Sequence, residues 1–219
     1  MKIAILGGSF NPLHNGHAML AETIVKELGY DKVLLVPTCI PPHKELSGGA
    51  STQQRVEMVK AFCDSEESGC YVLEACEIER GGISYTCDTL SYIIEKYKGQ
   101  LEGKPALLMG EEIAAEFDKW KNVNQIVDMA DLIIVPRYPD YFGHCAEAAK
   151  NKPTGHYQGD FKVTFNPQTF KYPCRCLKIP MLPISSTEVR GRVAAGKSYK
   201  YLVPGAVFEY INTKGIYKF

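Results

Sequence analysis

Apolar and polar positions fall in alternating blocks along the chain. Residues 2–6 are nearly all apolar and run into Gly7-Gly8, the pattern of a strand buried on both faces. Apolar residues at 18, 19, 20, 24, 25 and 28 then follow a helical stripe over 16–28, with Gly29 placed to cap its end. KVLLVP at 32–37 predicts a second strand. Strand, turn, helix and strand within 37 residues make a βαβ unit, whose strands run parallel and whose crossover is almost always right-handed. Ser51 and Gln54 have capping-box spacing and open a helix to about residue 62, while 71–75 predicts a strand and 86–97 an amphipathic helix. PALLM at 105–109 and LIIV at 132–135 are further short apolar runs, with a helical stretch around Trp120 between them. Near the end, 177–180 predicts a last short strand, and 186–195 and 206–213 predict helices.

This alternation predicts an α/β fold: a Rossmann-like, doubly wound, mostly parallel sheet with helices on both faces, in one domain over residues 1–219. Residues 137–177 break the pattern. They are rich in Pro, Gly and aromatics, with one strand-like piece at 161–165, and read as an irregular excursion rather than a second domain.

Composition adds bounds. Hydrophobic residues at 45% and charged residues at 23% are those of an ordinary globular protein. A net charge of zero gives no broad positive field for nucleic acid, but leaves room for a local pocket that holds a small polyanion. The first residues lack the order of a signal peptide, and their apolar run has the length of one strand, so a cytoplasmic protein with no membrane partner is expected. Eight cysteines scattered without a CxxC pair fit thiols in a reducing compartment.

The candidate chemistry starts at residues 7–17, GGSFNPLHNGH. In a doubly wound sheet the first βα turn borders the ligand crevice. Gly7 and Gly8 let phosphates approach the backbone beside Ser9 and Phe10, and the start of the following helix offers N–H groups and partial positive charge. His14 and His17, one turn apart, can add ring donors on the same side. The pattern is not GxGxxG, so the dinucleotide fingerprint is absent. A second phosphate site is expected at a later helix start, where Ser185, Ser186 and Thr187 after Ile184 bring hydroxyls and backbone donors, and Arg190 a guanidinium one turn on. GRVAAGKS at 191–198 fits the P-loop pattern, but a helical segment precedes its Gly-Lys where a P-loop requires a strand; Gly196 reads as a helix C-cap.

GGSFNPLHNGH resembles the GG[ST]F[DN]PxHxGH signature of the HxGH-motif nucleotidyltransferase superfamily, especially its nicotinate-nucleotide adenylyltransferases. PPHK at 41–44, SYTCDTL at 84–90, Trp120 ten residues after Gly110, and ISSTEVR at 184–190 follow in that family's order across nearly the whole chain. The resemblance implies attack by the phosphate of nicotinate mononucleotide on the α-phosphate of ATP, with Mg²⁺ carried mainly by the ATP phosphates. It casts His14, His17 and Arg190 as catalytic donors. It also places Gly7, Gly8, Ser9, Phe10, Lys44, Ile184, Ser185, Ser186 and Thr187 on ATP, and Tyr85, Thr86, Gly110, Glu112 and Trp120 on the mononucleotide, Trp120 by stacking on its ring. The family has Gly-x-Asp where this chain has Gly110-Glu111-Glu112.

Other readings stay open at this stage: transfer to nicotinamide mononucleotide or phosphopantetheine, or a nucleotide sensor without turnover. An RNA-ligating enzyme is disfavoured by the neutral charge and the lack of room for a tRNA-binding domain. His144, Cys145, His156, Cys174 and Cys176 match no zinc spacing, so no protein-held metal is expected and residues 137–177 read as a loop that covers the site or joins subunits of a homo-oligomer.

Overall fold

The architecture was taken from a computed structural model that describes residues 1–41, 49–135, 166–177 and 182–218. Six strands, β1 (Ile3–Gly8), β2 (Lys32–Pro37), β3 (Tyr71–Leu73), β4 (Ala106–Gly110), β5 (Asp131–Val135) and β6 (Cys174–Cys176), form one sheet in the order β3-β2-β1-β4-β5-β6. Every neighbouring pair is parallel. The helices among the described residues are α1 (Asn15–Lys26), α2 (Thr52–Ser65), α3 (Cys76–Arg80), α4 (Thr86–Lys96), α5 (Glu111–Ala114), α6 (Val123–Met129), α7 (Ser186–Ala194) and α8 (Gly205–Lys214).

Because successive side chains of a strand point to opposite faces, the buried strands feed two cores. Ala4, Leu6, Val33, Leu35, Leu108 and Ile133 pack against α1, α2, α7 and α8. Ile3, Ile5, Leu34, Val36, Leu107 and Ile134 pack against α3, α4 and α6. The doubly wound sheet with helices on both faces is therefore as the sequence predicts, and among the described residues all of its strand pairs are parallel.

Boundaries differ in instructive places. β1 continues through Gly7 and Gly8, which pair with Val36 and Pro37, so the turn expected from Gly7 begins at Ser9. α1 starts one residue before Gly16 and stops at Lys26, because the Leu28 N–H turns back to the Thr23 carbonyl and Gly29 takes the left-handed conformation at φ 69°. The Ser51–Gln54 capping box is present and α2 runs on to Ser65. The strand expected over 71–75 is cut to three residues by α3, a single helical turn too short to show a stripe.

The last strand also lies elsewhere. Expected at 177–180, it is instead Cys174–Cys176, paired with β5; residues 178–180 are outside the described set. The tail of the excursion thus supplies the sheet's edge, with Phe170 and Tyr172 against the second core. The strand-like piece at 161–165, with His144, Cys145 and His156, lies outside the described residues. Cys174 and Cys176 alternate along β6. GRVAAGKS is no P-loop: Gly191 sits inside α7 and Gly196, at φ 63°, ends the helix while Lys197 N–H bonds the Arg192 carbonyl. Among the described residues no helix is long and apolar enough to cross a membrane.

Candidate active site

Strand order reverses between β1 and β4, and the crevice at their carboxyl ends is where ligands bind in open α/β sheets. Gly8 ends β1 and Gly110 ends β4, so the first βα turn and the turn into α5 meet there. Each side of this crevice is built differently.

On the β1 side the turn is shaped around aromatic rings. Phe10 is buried and held at φ 45°, a left-handed backbone seldom adopted outside glycine, and its ring meets His17 edge-on at 5.1 Å. A Cβ on Gly8 would sit 3.3 Å from the Phe10 ring, and one on Gly16 would sit 3.1 Å from the His14 imidazole. The Gly of HNGH is there because the first histidine's ring lies across it.

His14 is the N-cap of α1, and its ring centroid is 3.7 Å from that of His17. The His14 backbone N–H donates to Nδ1 of His17 at 3.2 Å, half of a reciprocal capping box. An Nδ1 that accepts leaves Nε2 to carry the ring proton, so the neutral His17 presents an N–H donor away from its own backbone.

α7 is stitched to this turn. Ser186 Oγ donates to the Pro12 carbonyl at 2.8 Å, and Arg190 Nη1 donates to the Asn11 carbonyl at 2.8 Å. Arg190 Nη2 also donates to Thr187 Oγ1 at 3.2 Å, while Ser185 Oγ caps the helix by accepting from the Glu188 N–H at 3.1 Å. Tyr217 donates to Asn11 Oδ1 at 2.8 Å inside the protein. The predicted triphosphate groups at 7–17 and 184–190 are thus brought together. The Ser186 hydroxyl proton is directed to the Pro12 carbonyl, which leaves this residue's backbone N–H at the start of α7 facing the same turn. Lys44 lies outside the described residues.

Arg55 was not among the sequence candidates. It is fully buried and donates to the Ser9 carbonyl at 2.7 Å, pinning the same turn from below. Burial pulls its pKa down, with Cys39 and Tyr217 acting in the opposite sense. Arg55 heads the α2 stripe Arg55, Met58, Val59, Phe62, a helical spacing in which a cation occupies an apolar position; that was the signal available.

On the β4 side, Tyr85 is the N-cap of α4 and Thr86 its first residue, so the first N–H groups of that helix face outward. Lys121 Nζ stands 4.1 Å from the centre of the Tyr85 ring and 3.8 Å from Asp88. Trp120 is half-buried and packs at 5.2 Å on Phe117. Glu112 lies in the first turn of α5 with its carboxylate folded back over Gly110, so the extra methylene relative to Asp is taken up by the fold-back. A cleft of about 600 Å³ opens beside Trp120, walled by Asp118, Asn122, Gln125 and Tyr172. Of the predicted mononucleotide residues it takes in Trp120 alone.

The cytidylyltransferase-like family model matches residues 5–192. A Treponema pallidum protein named "Probable nicotinate-nucleotide adenylyltransferase" is 37% identical over 218 residues, 100% of both chains. The chain belongs to this nicotinate-nucleotide adenylyltransferase family. A Borrelia garinii relative of the same name is 36% identical over 99% of this chain and 95% of its own. The Plasmodium falciparum nicotinic acid mononucleotide adenylyltransferase, solved with NaAD, matches with a TM-score of 0.70 at 19% identity, over 99% of this chain and 97% of that one. Identity that low speaks to the fold alone. As a member of the family the protein is a nucleotidyltransferase.

Proposed function

We propose that the protein transfers the adenylyl group of ATP to the phosphate of nicotinate mononucleotide, forming nicotinate adenine dinucleotide and pyrophosphate in NAD biosynthesis. The observation that carries this reading is the stitching of α7 to the β1–α1 turn through Ser186 and Arg190. It joins two helix N-termini, two imidazoles and a guanidinium around one spot at the sheet's switch point, a donor set that suits a polyphosphate.

A mononucleotide phosphate oxygen attacks the α-phosphorus as the bond to the bridging oxygen breaks, and pyrophosphate leaves with that electron pair. The nucleophile is already anionic, so no base is required. Catalysis is alignment plus stabilisation of spreading negative charge. His17, through Nε2–H, and His14 donate to the phosphates nearest the reaction; Arg190 and the start of α7, with Ser185 and Thr187, hold the outgoing pyrophosphate. Gly7, Gly8, Ser9 and Phe10 provide the backbone wall, and Lys44 and Ile184 complete the ATP set. Mg²⁺ held by the triphosphate would neutralise part of its charge; donors rather than carboxylates line the turn, which fits a metal carried by substrate and not by this chain. The free thiols among the described cysteines support the reading of a reducing compartment, the cytoplasm.

Tyr85 and Thr86 meet the nicotinate carboxylate through backbone N–H and hydroxyl donors at the start of α4, with the Lys121 cation close by. A carboxylate accepts from all of these, whereas a carboxamide brings N–H groups that these donors do not satisfy. Turnover with nicotinate mononucleotide, nicotinamide mononucleotide and phosphopantetheine, with products identified by mass, tests the reading. The acid is expected to lead, and equal use of the amide overturns the assignment.

Trp120 offers the stacking face. Trp120→Ala is expected to raise KM for the mononucleotide about tenfold, in line with the roughly 1–3 kcal/mol of a ring stacked on an aromatic side chain, and Trp120→Phe to recover most of it. An unchanged KM in Trp120→Ala, measured by pyrophosphate release, removes this residue from the site.

A further inference from the structure

We infer that Glu77 is a positioning residue for the mononucleotide, setting the Ser84–Tyr85–Thr86 segment from beneath without touching substrate; the inference rests on the reading of that segment as the acceptor site. Glu77 lies on α3, outside every motif used above, with only 7% of its surface exposed. Its Oε1 accepts from Thr89 Oγ1 at 2.8 Å, and Thr89 Oγ1 in turn accepts from the Arg80 guanidinium at 3.2 Å. Oε2 makes no protein hydrogen bond of ordinary geometry, while Ser84 and the Cys39 backbone favour the charged form of the carboxyl against the burial that opposes it.

These partners come from two loops that close on each other. The Cys39 N–H donates to Ser84 Oγ at 3.1 Å, the Ser84 N–H donates to the Ile40 carbonyl at 2.9 Å, and Ile40 and Ile83 form an isolated parallel bridge. Glu77 therefore sits under the junction between the exit of β2, which leads on to PPHK, and the approach to α4, which carries Tyr85 and Thr86.

Packing alone does not call for a charge here, since a leucine would fill the space without desolvating a carboxylate. What the carboxylate adds is acceptor capacity towards donors from separate segments. The Thr89 hydroxyl has one proton. With Glu77 present it is directed away from the helix; without it, the next acceptor is the Tyr85 carbonyl, already 3.4 Å away and one turn back. Loss of either partner of the Thr89–Glu77 bond unfastens α4 from α3, and a hydroxyl left to bond the Tyr85 carbonyl also bends the first turn of α4, the one that presents Tyr85 and Thr86.

The test is steady-state kinetics on Glu77→Leu, Thr89→Val and Thr89→Ser, with Thr86→Ala as a direct probe of the acceptor segment. Glu77→Leu and Thr89→Val are each expected to raise KM for nicotinate mononucleotide about tenfold, the scale of one lost charge-assisted hydrogen bond, with kcat and the KM for ATP within about twofold of the parent. Thr89→Ser, which keeps the hydroxyl, should retain the parent KM. If Glu77→Leu fails to fold, the contrast between Val and Ser at position 89 decides. A mononucleotide KM unmoved by Thr89→Val or Glu77→Leu, or equal rises for both substrates, overturns the inference while Thr86→Ala still weakens the acceptor. A KM unmoved by Thr86→Ala removes the acceptor segment itself, and the role of Glu77 with it.

Discussion

His17→Ala is expected to lower kcat by about 10²–10³-fold, the cost of removing one donor aimed at charge that develops in a transition state, while the KM for ATP moves far less. The ring is held for that task. Its Nδ1 accepts the His14 N–H at 3.2 Å, its edge rests on Phe10, and the His14 ring lies against it. Such a donor needs no reorganisation when the α-phosphate passes through its crowded, more negative geometry, so its contribution appears in turnover rather than in ground-state binding. The substitution also removes half of a capping box, worth about 1 kcal/mol to the helix, and a thermal melt beside the kinetics shows the fold intact. A variant with unchanged kcat and a raised KM would mean that His17 binds ATP uniformly and does not act on the reaction.

Much of this site is legible in the sequence because its parts are local. The glycines, histidines and helix start of residues 7–17 are neighbours in the chain, and their chemistry follows from their spacing. The strands read clearly for a related reason: β1, β2, β4 and β5 are covered on both faces, so nearly every position is apolar. β6 could not be read this way, since Cys-Arg-Cys at a sheet edge packs little and carries a charge. Nor could the contacts that assemble the crevice. Tyr217 reaches Asn11 across 206 residues and Arg190 reaches the same residue across 179, and no local pattern encodes which distant backbone carbonyl a guanidinium will find. Glu77 is hidden by its surroundings in the same way: in CEIER it looks like one more charge on a short polar segment, and only the arrangement of α3 against α4 makes it a buried acceptor.

Arg190 is where the long-range contact and the chemistry coincide, and its replacement should have the second large effect. Arg190→Ala is expected to lower kcat/KM for ATP by about 10²–10³-fold, since a guanidinium that neutralises transferring phosphate oxygens is worth 10³ or more in related chemistry. The Ki of pyrophosphate should rise with it, while the KM for the mononucleotide stays within about threefold. This selectivity follows from where the group sits: on α7, half-buried, anchored by Nη1 to the Asn11 carbonyl and by Nη2 to Thr187, on a helix that packs on the first core while Tyr85 and Trp120 pack on the second. Burial lowers its pKa, but a guanidinium starts so high that the charge persists at any pH of interest. Arg190→Lys separates charge from geometry. A lysine ammonium is a point charge and cannot both hold the Asn11 carbonyl and offer a planar fork to phosphate, so it should recover only part of the loss. Loss of the anchor also leaves the Asn11 carbonyl without that donor, at a cost of about 1–3 kcal/mol, which at roughly 2–4 °C per kcal/mol for a chain of this size lowers Tm by several degrees. Equal rises in KM for both substrates, with an unchanged Ki for pyrophosphate, would show that Arg190 acts only as the clasp between α7 and the first turn and leaves the phosphates to other donors.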